Sequence, residues 1–593
     1  MGKPVNLQGV RAARDAAKRV GGTKPADREP SQTLRERLPE TCPVIPLGKD
    51  EGTRYYLDAD CQLRALADKE HSRLGILGLF GNDHGLLYEY FPRYNKEGET
   101  TGWRPEQAAE MLIGACSAKG VWDATERERG RGAWLGENGE LVLHTGNTVM
   151  SFPCSSRSWD DHQSGPAGLV GHYVYSRGGA IGAPYHAAVQ GGSHGAAGEL
   201  LELLGTWNWR RPDIDPVLLL GWIGAAMVGG ALKWRPMAWM TGDRGSGKSM
   251  LQELIKQLFA GGIIQTADST PAGLWQALRH QTLPVAFDEL EAEEDPRRAI
   301  AVVKLARTAS SGALMLRGGA DHKGTEFVVR SSFLFSSILI PPLTPQDRSR
   351  ITVLELQDLT IGAEAPVLDP RAIGRLGSQL RRRMVDGWSR MAATLDRYQG
   401  ALKQAGHTAR SADQIGTLLM CADLLLYDDA EDNDGVALWT RQFSVEEQDE
   451  SDDATRDHTR CLQHLASATI DPHRNGGQRS VAEWIRIAAK IDEGDDLEAA
   501  RILGRCGIKV LHEKPRVVAI ANYHQGLAEL YRGTHWAGRS STQGVWVKAL
   551  RRLPGAFGWP KSLYFAGVTA KATVVPIDVV VPPDSVSSMR LPL

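Results

Sequence analysis

The stretch PMAWMTGDRGSGKS, residues 236–249, decides how this chain folds. Its apolar first half predicts a buried strand, and the run MLQELIKQLF that follows at 250–259 has the spacing of an amphipathic helix. Between them the loop matches G-x-x-x-x-G-K-[ST]. In this pattern the glycines let successive backbone N–H groups and the helix N-terminus face a phosphate. The strand before the loop and the helix after it supply the context that this motif requires.

The residues of this loop predict a site for the phosphates of a nucleotide. Lys248 is expected to reach the β- and γ-phosphates, and Ser249 is expected to hold Mg²⁺. A plain glycine turn that caps a helix has no need of a Lys-Ser pair, and residues 245–250 do not complete the G-x-G-x-x-G of a dinucleotide fold. The residues expected to contact the nucleotide are Gly242, Asp243, Arg244, Gly245, Ser246, Gly247, Lys248, Ser249 and Met250.

A second apolar run, LPVAFDE at 283–289, predicts a buried strand that ends in two carboxylates. Asp288 is expected to bind Mg²⁺ through water, and Glu289 to orient and deprotonate the water that attacks the γ-phosphate. A strand with an acidic cap is the plainer interpretation, but the position on the next strand but one after the glycine loop favours an ATP hydrolase that uses ATP and Mg²⁺.

Length and composition set the broad class. A chain of 593 residues is too long for one hydrophobic core, so several domains are expected. The seven cysteines include no C-x-x-C pair, which argues against a zinc ribbon and favours reduced thiols in the cytoplasm. The most apolar stretch, residues 217–232, is too short to span a membrane comfortably and predicts a buried helix. No membrane partner is therefore expected.

The segment 313–330 predicts a hairpin with a basic tip. Its β-prone arms, 314–316 and 325–329, flank a glycine-rich turn that carries His322 and Lys323. Because the tip has cations and small residues and no aromatic side chain, it suits a DNA strand better than a polypeptide. A surface ribbon with a solvated lysine is the alternative. Beyond it a buried strand carries Ser336, and Arg348 and Arg350 precede a strand at 351–356.

The order of glycine loop, paired acids, basic hairpin, polar strand end and arginine pair resembles the AAA+ ATPases of the helicase superfamily 3 and MCM-like clade. It is most similar to the replicative helicases of phages, plasmids and mobile elements that carry an uncharacterised N-terminal domain. The resemblance is strongest over residues 203–356. It implies an ATP-dependent DNA helicase, assembled as a homo-oligomeric and hexameric ring, that acts on single-stranded and forked DNA. A separate primase as a partner stays open.

The resemblance also implies roles for particular residues. Lys248 and Ser249 would be the Walker A pair, with Asp288 and Glu289 as the Walker B pair. His322 and Lys323 would grip a DNA phosphate in the ring's channel. Ser336 stands where these enzymes usually have a sensor-1 asparagine. Either Arg348 or Arg350 would be the finger that enters the neighbouring subunit's ATP site, and the sequence does not choose between them.

The expected fold is α/β: an AAA+ core of parallel sheet and flanking helices, with an N-terminal α+β domain and a C-terminal winged-helix-like domain. The predicted segments are a flexible basic arm at 1–40, the α+β domain at 41–150, an irregular connection at 151–200, the ATPase core at 201–360, a helical lid at 361–430, an acidic linker at 431–478 and the winged-helix-like domain at 479–593. The basic helix at 369–395 would face DNA or solvent.

The C-terminal assignment depends on helices followed by strands at 562–565 and 571–577, predicted to form the ribbon of a winged helix. Lys548, Arg551 and Arg552 would then contact DNA phosphates. A domain that touches only protein is an equal alternative. For the whole chain, the alternative to a helicase is an AAA+ ATPase that remodels or loads partner proteins on DNA without unwinding.

Overall fold

The computed structural model describes residues 38–39, 41–156, 159–290, 297–318, 324–341, 343–359, 366–443, 457–470, 478–513, 515–537 and 545–582. The described residues form two compact units. The first comprises those within Met1–Pro341, Ile351–Asp396 and Asp413–Glu431. The second comprises those within Pro342–Arg350, Arg397–Ala412 and Asp432–Leu593.

The first unit begins with short antiparallel sheets and helices. In chain order these elements are β1 Ile45–Asp50, β2 Thr53–Leu57, β3 Leu63–Ala67, α1 Arg73–Phe80, α2 Gly85–Tyr90, β4 Pro92–Tyr94, β5 Thr100–Trp103, α3 Pro105–Lys119, α4 Ala124–Arg127, β6 Gly132–Leu135, β7 Leu141–His144, β8 Thr148–Phe152, β9 Gln163–Pro166, β10 Gly168–Val170 and β11 Tyr173–Tyr175. The longest of these helices is α3, and β6 and β7 pair antiparallel to form a hairpin around residues 137–140.

The segment 151–200 holds more regular structure than the irregular connection that we expected. Strand β9 joins β8 at the edge of the β6-β7-β8-β9 sheet, and β10 and β11 form a hairpin of their own. These strands are three or four residues long. Strands β9 and β10 contain glycine, so the composition of these two strands resembles that of a loop.

The middle of the chain builds a parallel sheet and its helices. The elements are α5 Ala196–Leu204, α6 Asp215–Met227, β12 Met237–Gly242, α7 Lys248–Phe259, β13 Ile264–Thr266, α8 Pro271–Leu278, β14 Val285–Phe287, α9 Arg297–Ser311, β15 Leu314–Gly318, β16 Gly324–Val328, β17 Phe333–Ser337, α10 Pro345–Arg348, β18 Ile351–Leu356, α11 Pro370–Asp386, α12 Met391–Gln404 and α13 Ala409–Leu426. The five-stranded sheet has the order β13-β14-β17-β12-β18, and every neighbouring pair is parallel. The α/β class that we expected for this region is thus observed.

The glycine loop, residues 242–247, connects β12, an interior strand of the sheet, to an amphipathic helix. Residues 237–240 of β12 are all buried, as expected for a strand with neighbours on both sides and helices on both faces. In α7, Leu251, Leu254, Ile255 and Leu258 recur at helical spacing and are fully buried. The helix ends at Ala260, whose backbone is left-handed.

Helix α6 is buried along its whole length, which confirms the buried helix expected from residues 217–232. A helix that is apolar on every side needs packing partners on every side. In α6 the indole N–H of Trp222 donates to the carbonyl of Phe333, at the start of β17, at 3.1 Å. Within the described ranges no helix has the length and apolar character needed to cross a membrane.

The N-terminal sheets are bonded to the segment that leads into β14. The amide of Gly130 donates to the carbonyl of His280 at 2.9 Å, and the amide of Thr282 donates to the carbonyl of Arg131 at 3.0 Å. The Thr282 hydroxyl also donates to the carbonyl of Ala133 at 2.9 Å. Beside these bonds, Nε2 of His280 lies 3.2 Å from a carboxylate oxygen of Glu128. The two acids after β14 are therefore connected through backbone to the N-terminal region.

The second unit contains α10 and most of the C-terminal third of the chain. Its further elements are α14 Asn433–Arg441, α15 Asp457–Ser467, β19 Thr469–Ile470, β20 Arg479–Ser480, α16 Val481–Ala488, α17 Asp496–Arg505, β21 Ile508–Leu511, β22 Val517–Ala521, α18 Gln525–Leu530, α19 Trp546–Leu550, β23 Phe557–Gly558, β24 Leu563–Phe565, β25 Val568–Ala570, β26 Ala572–Pro576 and α20 Ile577–Val580. A four-stranded antiparallel sheet of order β21-β22-β26-β23 carries the buried core of this part. Two of its helices, α14 and α15, fall within the expected acidic linker.

The strand pairing expected for the C-terminal ribbon was wrong. Strand β24 pairs with β25 rather than with β26, which pairs with β22 and β23. The reason is local, because Ala566 and Gly567 both have positive φ, +38° and +110°, and such a two-residue turn closes a tight hairpin at once. The winged-helix assignment stays a prediction.

Candidate functional site

The glycine loop has a backbone that only glycine adopts easily at its last position. Gly247 has φ +89° and is the residue that precedes α7. At the start of the loop, a Cβ on Gly242 would lie 2.4 Å from the carbonyl oxygen of Leu356 on β18, so the close approach of the two strand ends also requires glycine. The first-turn N–H groups of α7 have no intrahelical partner and point toward this loop.

Lys248 lies over the loop that it follows. Its Nζ donates to the carbonyl oxygens of Gly242 at 2.6 Å and Asp243 at 2.9 Å. The ammonium group is therefore held on the concave side of the loop. Around it Arg244, Gly245 and Ser249 are exposed, whereas Ser246 is buried.

The paired acids lie at the same edge of the sheet as the glycine loop. Parallel strands place their carboxyl ends together, and β14 is separated from β12 only by β17. The amide of Asp288 donates to the carbonyl of Thr266 at 2.8 Å, which fixes the start of the turn after β14. Glu289 is exposed and has φ +56°, a backbone region that is sparsely populated for residues other than glycine and that often occurs at functional sites.

Ser336 lies on β17, the strand between the loop strand and the acid strand. It pairs in register with Met240 of β12, and its carbonyl accepts the amide of Leu290, just after the two acids, at 2.9 Å. Its hydroxyl is buried and has no hydrogen-bond partner among the described residues. The next residue, Ser337, accepts the indole N–H of Trp239 at 2.8 Å. Ser336 is thus placed between the two predicted halves of the site.

The residues at this edge fit a nucleotide with its magnesium ion. No group of three or more His, Cys, Asp or Glu side chains suited to a metal occurs in the part of the chain that the structure describes. A nucleotide-bound Mg²⁺ needs no such group, because phosphate oxygens and waters supply most of its ligands. Ser249 and Asp288 would supply the protein oxygens. A Cβ on Gly245 would meet nothing within 4 Å, so the loop has open space on that side.

Trp207, which sequence reasoning did not connect with the site, lies against the glycine loop, and its neighbour Asn208 is bonded just beyond the end of β18. Trp207 donates its indole N–H to the carbonyl of Gly247 at 3.2 Å. Asn208 donates its side-chain amide to the carbonyl of Asp358 at 2.7 Å, just beyond β18. Trp207 and Trp209 are both buried. No sequence pattern relates residue 207 to residue 247.

The arginines of α11 do not all face DNA or solvent as expected. Arg381, Arg382 and Arg383 are buried. Arg381 donates to the carbonyls of Leu258 at 3.2 Å and Phe259 at 2.8 Å, the last residues of α7. Arg383 donates to the carbonyl of Leu425, near the end of α13, at 3.0 Å. Burial lowers the pKa of Arg381 to about 10. Arg381 and Arg383 therefore bond the carbonyls at two helix ends. A count of basic residues does not distinguish this role from that of a basic surface.

The hairpin expected between β17 and α9 is confirmed in its arms, since β15 and β16 pair antiparallel from Leu314 with Val328 to Gly318 with Gly324. The two tip residues that were expected to contact DNA, His322 and Lys323, lie outside the described residues. Their role stays a prediction.

The remaining predicted residues belong to the second unit. Arg348 is exposed at the end of α10, and Arg350 is half-buried just before β18. Lys548, Arg551 and Arg552 are exposed on α19 and the turn after it, while Trp546 anchors that helix by donating to the carbonyl of Ala521 at 3.0 Å. The arginine finger and the C-terminal DNA contacts stay predictions.

Neither a family model nor a curated protein matches the sequence. Among solved structures, the A form apo structure of the NrS-1 C-terminal region is similar over 90% of this chain and 97% of that chain, with 12% sequence identity and a TM-score of 0.32. The apo structure of the NrS-1 C-terminal region (305–718) covers 54% of this chain and 91% of that chain, with 14% identity and a TM-score of 0.25. TM-scores this low do not establish a shared fold, so the function has to be inferred from the residues of this chain.

Proposed function

We propose that this chain is an ATP-dependent, ring-forming DNA helicase that acts in the replication of a phage, plasmid or other mobile element. The observation that carries the ATPase part is the arrangement at one edge of the parallel sheet. There the glycine loop and Lys248 follow β12, the paired acids follow β14, and the buried Ser336 hydroxyl lies on the strand between them. An ATP hydrolase requires this combination of phosphate cradle, cation and carboxylates.

In the proposed reaction, the loop amides and Lys248 bind the β- and γ-phosphates. Glu289 accepts a proton from the attacking water while the oxygen of that water forms a bond to the γ-phosphorus. The bond between the γ-phosphorus and the bridging β–γ oxygen breaks, and ADP and phosphate are released. Bound Mg²⁺ would neutralise charge on the phosphate oxygens. Ser336, whose buried hydroxyl has no partner among the described residues, would hydrogen-bond the γ-phosphate or the water. An arginine of a neighbouring subunit, Arg348 or Arg350, would complete the site.

The DNA part of the proposal rests on the resemblance and on the position of the β15–β16 hairpin between the acid strand and β17 in the chain. The hairpins of a ring would follow one DNA strand through Lys323. Lys548, Arg551 and Arg552 would hold the duplex. A nucleotide-driven machine that remodels or loads protein partners would use the same ATP site, so only a DNA readout separates the two functions.

The test is ATP hydrolysis with and without single-stranded DNA, followed by strand displacement on a forked duplex. Glu289→Gln should lower kcat about a thousandfold and leave ATP binding in place. Lys248→Ala should abolish ATP binding, whereas Lys256→Ala, at an exposed lysine of the same helix that pairs with Glu253, should behave as wild type. Lys323→Ala should abolish DNA stimulation and unwinding, with the exposed Lys304 of α9 as the matched control.

The outcomes of these measurements distinguish a helicase from an ATPase that remodels or loads protein partners. Unwinding that requires both Glu289 and Lys323 supports the helicase. Hydrolysis that DNA does not stimulate, without strand displacement, contradicts the helicase and leads to the search for a protein client. A wild-type protein that binds no ATP contradicts both functions.

A further inference from the structure

Trp207 is held in place by the strand end beside the glycine loop. Residues 208–210 run antiparallel to the end of β18: the amide of Arg210 donates to the carbonyl of Glu355 at 2.9 Å, and the amide of Gln357 donates to the carbonyl of Asn208 at 2.8 Å. The side chain of Asn208 adds a bond to the carbonyl of Asp358. The backbone that follows Trp207 is therefore bonded along the end of β18, beside the glycine loop.

The indole bonds the one peptide group that joins the loop to α7. The carbonyl of Gly247 accepts the amide of Leu251 at 3.1 Å, which is the first hydrogen bond of the helix, and it also accepts the Trp207 indole N–H at 3.2 Å. Two donors on one carbonyl fix its direction. Since a trans peptide is planar, the N–H of Lys248 must then point the opposite way, toward the concave side of the loop.

The same indole fits closely against the backbone of Gly247. A Cβ at that position would lie 2.8 Å from the indole nitrogen, and Trp207 is 5% exposed. The ring therefore packs against Gly247 and supports its left-handed conformation.

We infer that Trp207 is a positioning residue for the phosphate site: through Gly247 it orients the backbone N–H of Lys248 toward the bound phosphates. This inference rests on the proposed nucleotide binding. It assigns Trp207 no contact with the base or with the reacting atoms. Because backbone donors preset in direction bind an anion without reorganising, loss of the indole bond should weaken phosphate affinity more than it weakens folding.

The test compares two single substitutions that remove an indole N–H and keep an aromatic ring. Trp207→Phe removes the bond to Gly247. Trp209→Phe is the matched control, because the Trp209 indole is also buried and donates to a backbone carbonyl, that of Leu204 at 2.7 Å, without touching the glycine loop. Calorimetry on the full chain measures the affinity for Mg-ATP and for inorganic pyrophosphate, and thermal unfolding measures Tm.

We expect Trp207→Phe to weaken both affinities about tenfold, while Trp209→Phe stays within about twofold of wild type. Both variants should lose a similar few degrees in Tm, since each loses one buried hydrogen bond. Equal affinities for the two variants would overturn the inference. A loss for Mg-ATP without a loss for pyrophosphate would also overturn it, because Trp207 would then act on the base.

Two further results would not test the role of Trp207 directly: a wild-type protein that binds neither probe, and a Trp207→Phe variant that does not fold. Wild-type protein that binds neither probe contradicts the proposed function rather than the role of Trp207. If Trp207→Phe does not fold, Asn208→Ala takes its place, because it removes the anchor to Asp358 and leaves the indole. We then expect about a threefold weakening of pyrophosphate binding, and unchanged affinity would overturn the inference.

Discussion

At its N-terminus α7 presents first-turn N–H groups to a loop of glycines, whereas at its C-terminus a buried arginine from another helix occupies the last carbonyls. Both ends leave backbone groups without intrahelical partners and carry opposite partial charges. At the C-terminus Arg381 satisfies the carbonyls of Leu258 and Phe259 from within the fold. At the N-terminus Trp207 bonds only the carbonyl of Gly247 and leaves the donors to the loop.

The difference indicates which end of a helix is available to a ligand. Where a side chain of the same chain already supplies the complementary charge, the helix end is a stability element. Where the neighbouring side chains hold the backbone and leave its N–H groups facing open space, the end can bind an anion. Substitutions at the C-terminal end should therefore change folding without changing nucleotide binding, whereas those at the N-terminal end should change nucleotide binding as well.

The largest effect on stability is expected where α11 contacts the C-terminal end of α7. A Cβ on Gly377 would lie 1.9 Å from the carbonyl oxygen of Leu258, so Gly377→Ala must push the two helices apart. We expect a loss of about 3 kcal/mol in the free energy of unfolding, measured by urea denaturation. Gly374→Ala on the same helix meets nothing within 4 Å and should be neutral or slightly stabilising. Equal effects of the two substitutions would contradict this prediction.

Removal of the capping arginine should have the next largest effect. Arg381→Met keeps most of the side-chain volume but leaves two buried carbonyls without their donor, so we expect a loss of about 2 kcal/mol in unfolding free energy. Arg371→Met, at an exposed arginine of α11, is the control and should change little. Mg-ATP affinity of the folded Arg381→Met protein should match wild type. A large loss of affinity would show that the two ends are not independent.

At the N-terminal end of α7, a comparison of Gly247→Ala with Gly245→Ala distinguishes the cost of backbone strain from the cost of contact with Trp207. Both positions have a left-handed backbone, but only at Gly247 would the added Cβ meet the indole. Strain alone should cost about 1 kcal/mol of stability at Gly245, and the loss at Gly247 should exceed it. The measurement is urea unfolding of both variants in parallel. A Gly245 variant that is the less stable of the two would refute the close contact.

The smallest effect is expected on the exposed face of α7, between its two ends. Hydrogen bonds from Gln257 and then Lys256 lower the pKa of Glu253. A carboxylate with a lowered folded pKa contributes stability above its unfolded pKa, and that stability is lost as the pH falls through the folded pKa. Because the pair is exposed, Glu253→Gln should cost only a few tenths of a kcal/mol at neutral pH and nothing in acid. A pH-independent loss would contradict the ionic origin.

The parts of this fold that could be predicted from sequence have local signals. The glycine loop, the apolar strand that ends in Asp288 and Glu289, and the antiparallel arms of the β15–β16 hairpin each occupy a short stretch with a periodic or turn pattern. The chain order of these pieces also predicted an α/β core. Their identification as parts of an AAA+ helicase stays a proposal.

The missed features have no local signal. Trp207 lies 40 residues from the carbonyl that it bonds, and Arg381 lies 122 residues from the carbonyl of Phe259. A bond to a main-chain carbonyl constrains no particular side chain at the accepting position, so neither partner is recognisable in sequence. The C-terminal ribbon was missed for a different reason. The turn at Ala566 and Gly567 decides which strands pair, and an alanine gives no signal in the sequence for the positive φ that this turn requires.

The strand-like segment at 208–210 has a consequence for the behaviour of the protein at high concentration. It covers the end of β18 through the bridge between Trp209 and Leu356 and the bonds on either side. Exposed edge strands offer unpaired backbone groups to other chains and promote aggregation. Here one edge is partly shielded by the chain itself, and the opposite edge, β13, is only three residues long. The parallel sheet therefore offers little template for strand addition by a second molecule.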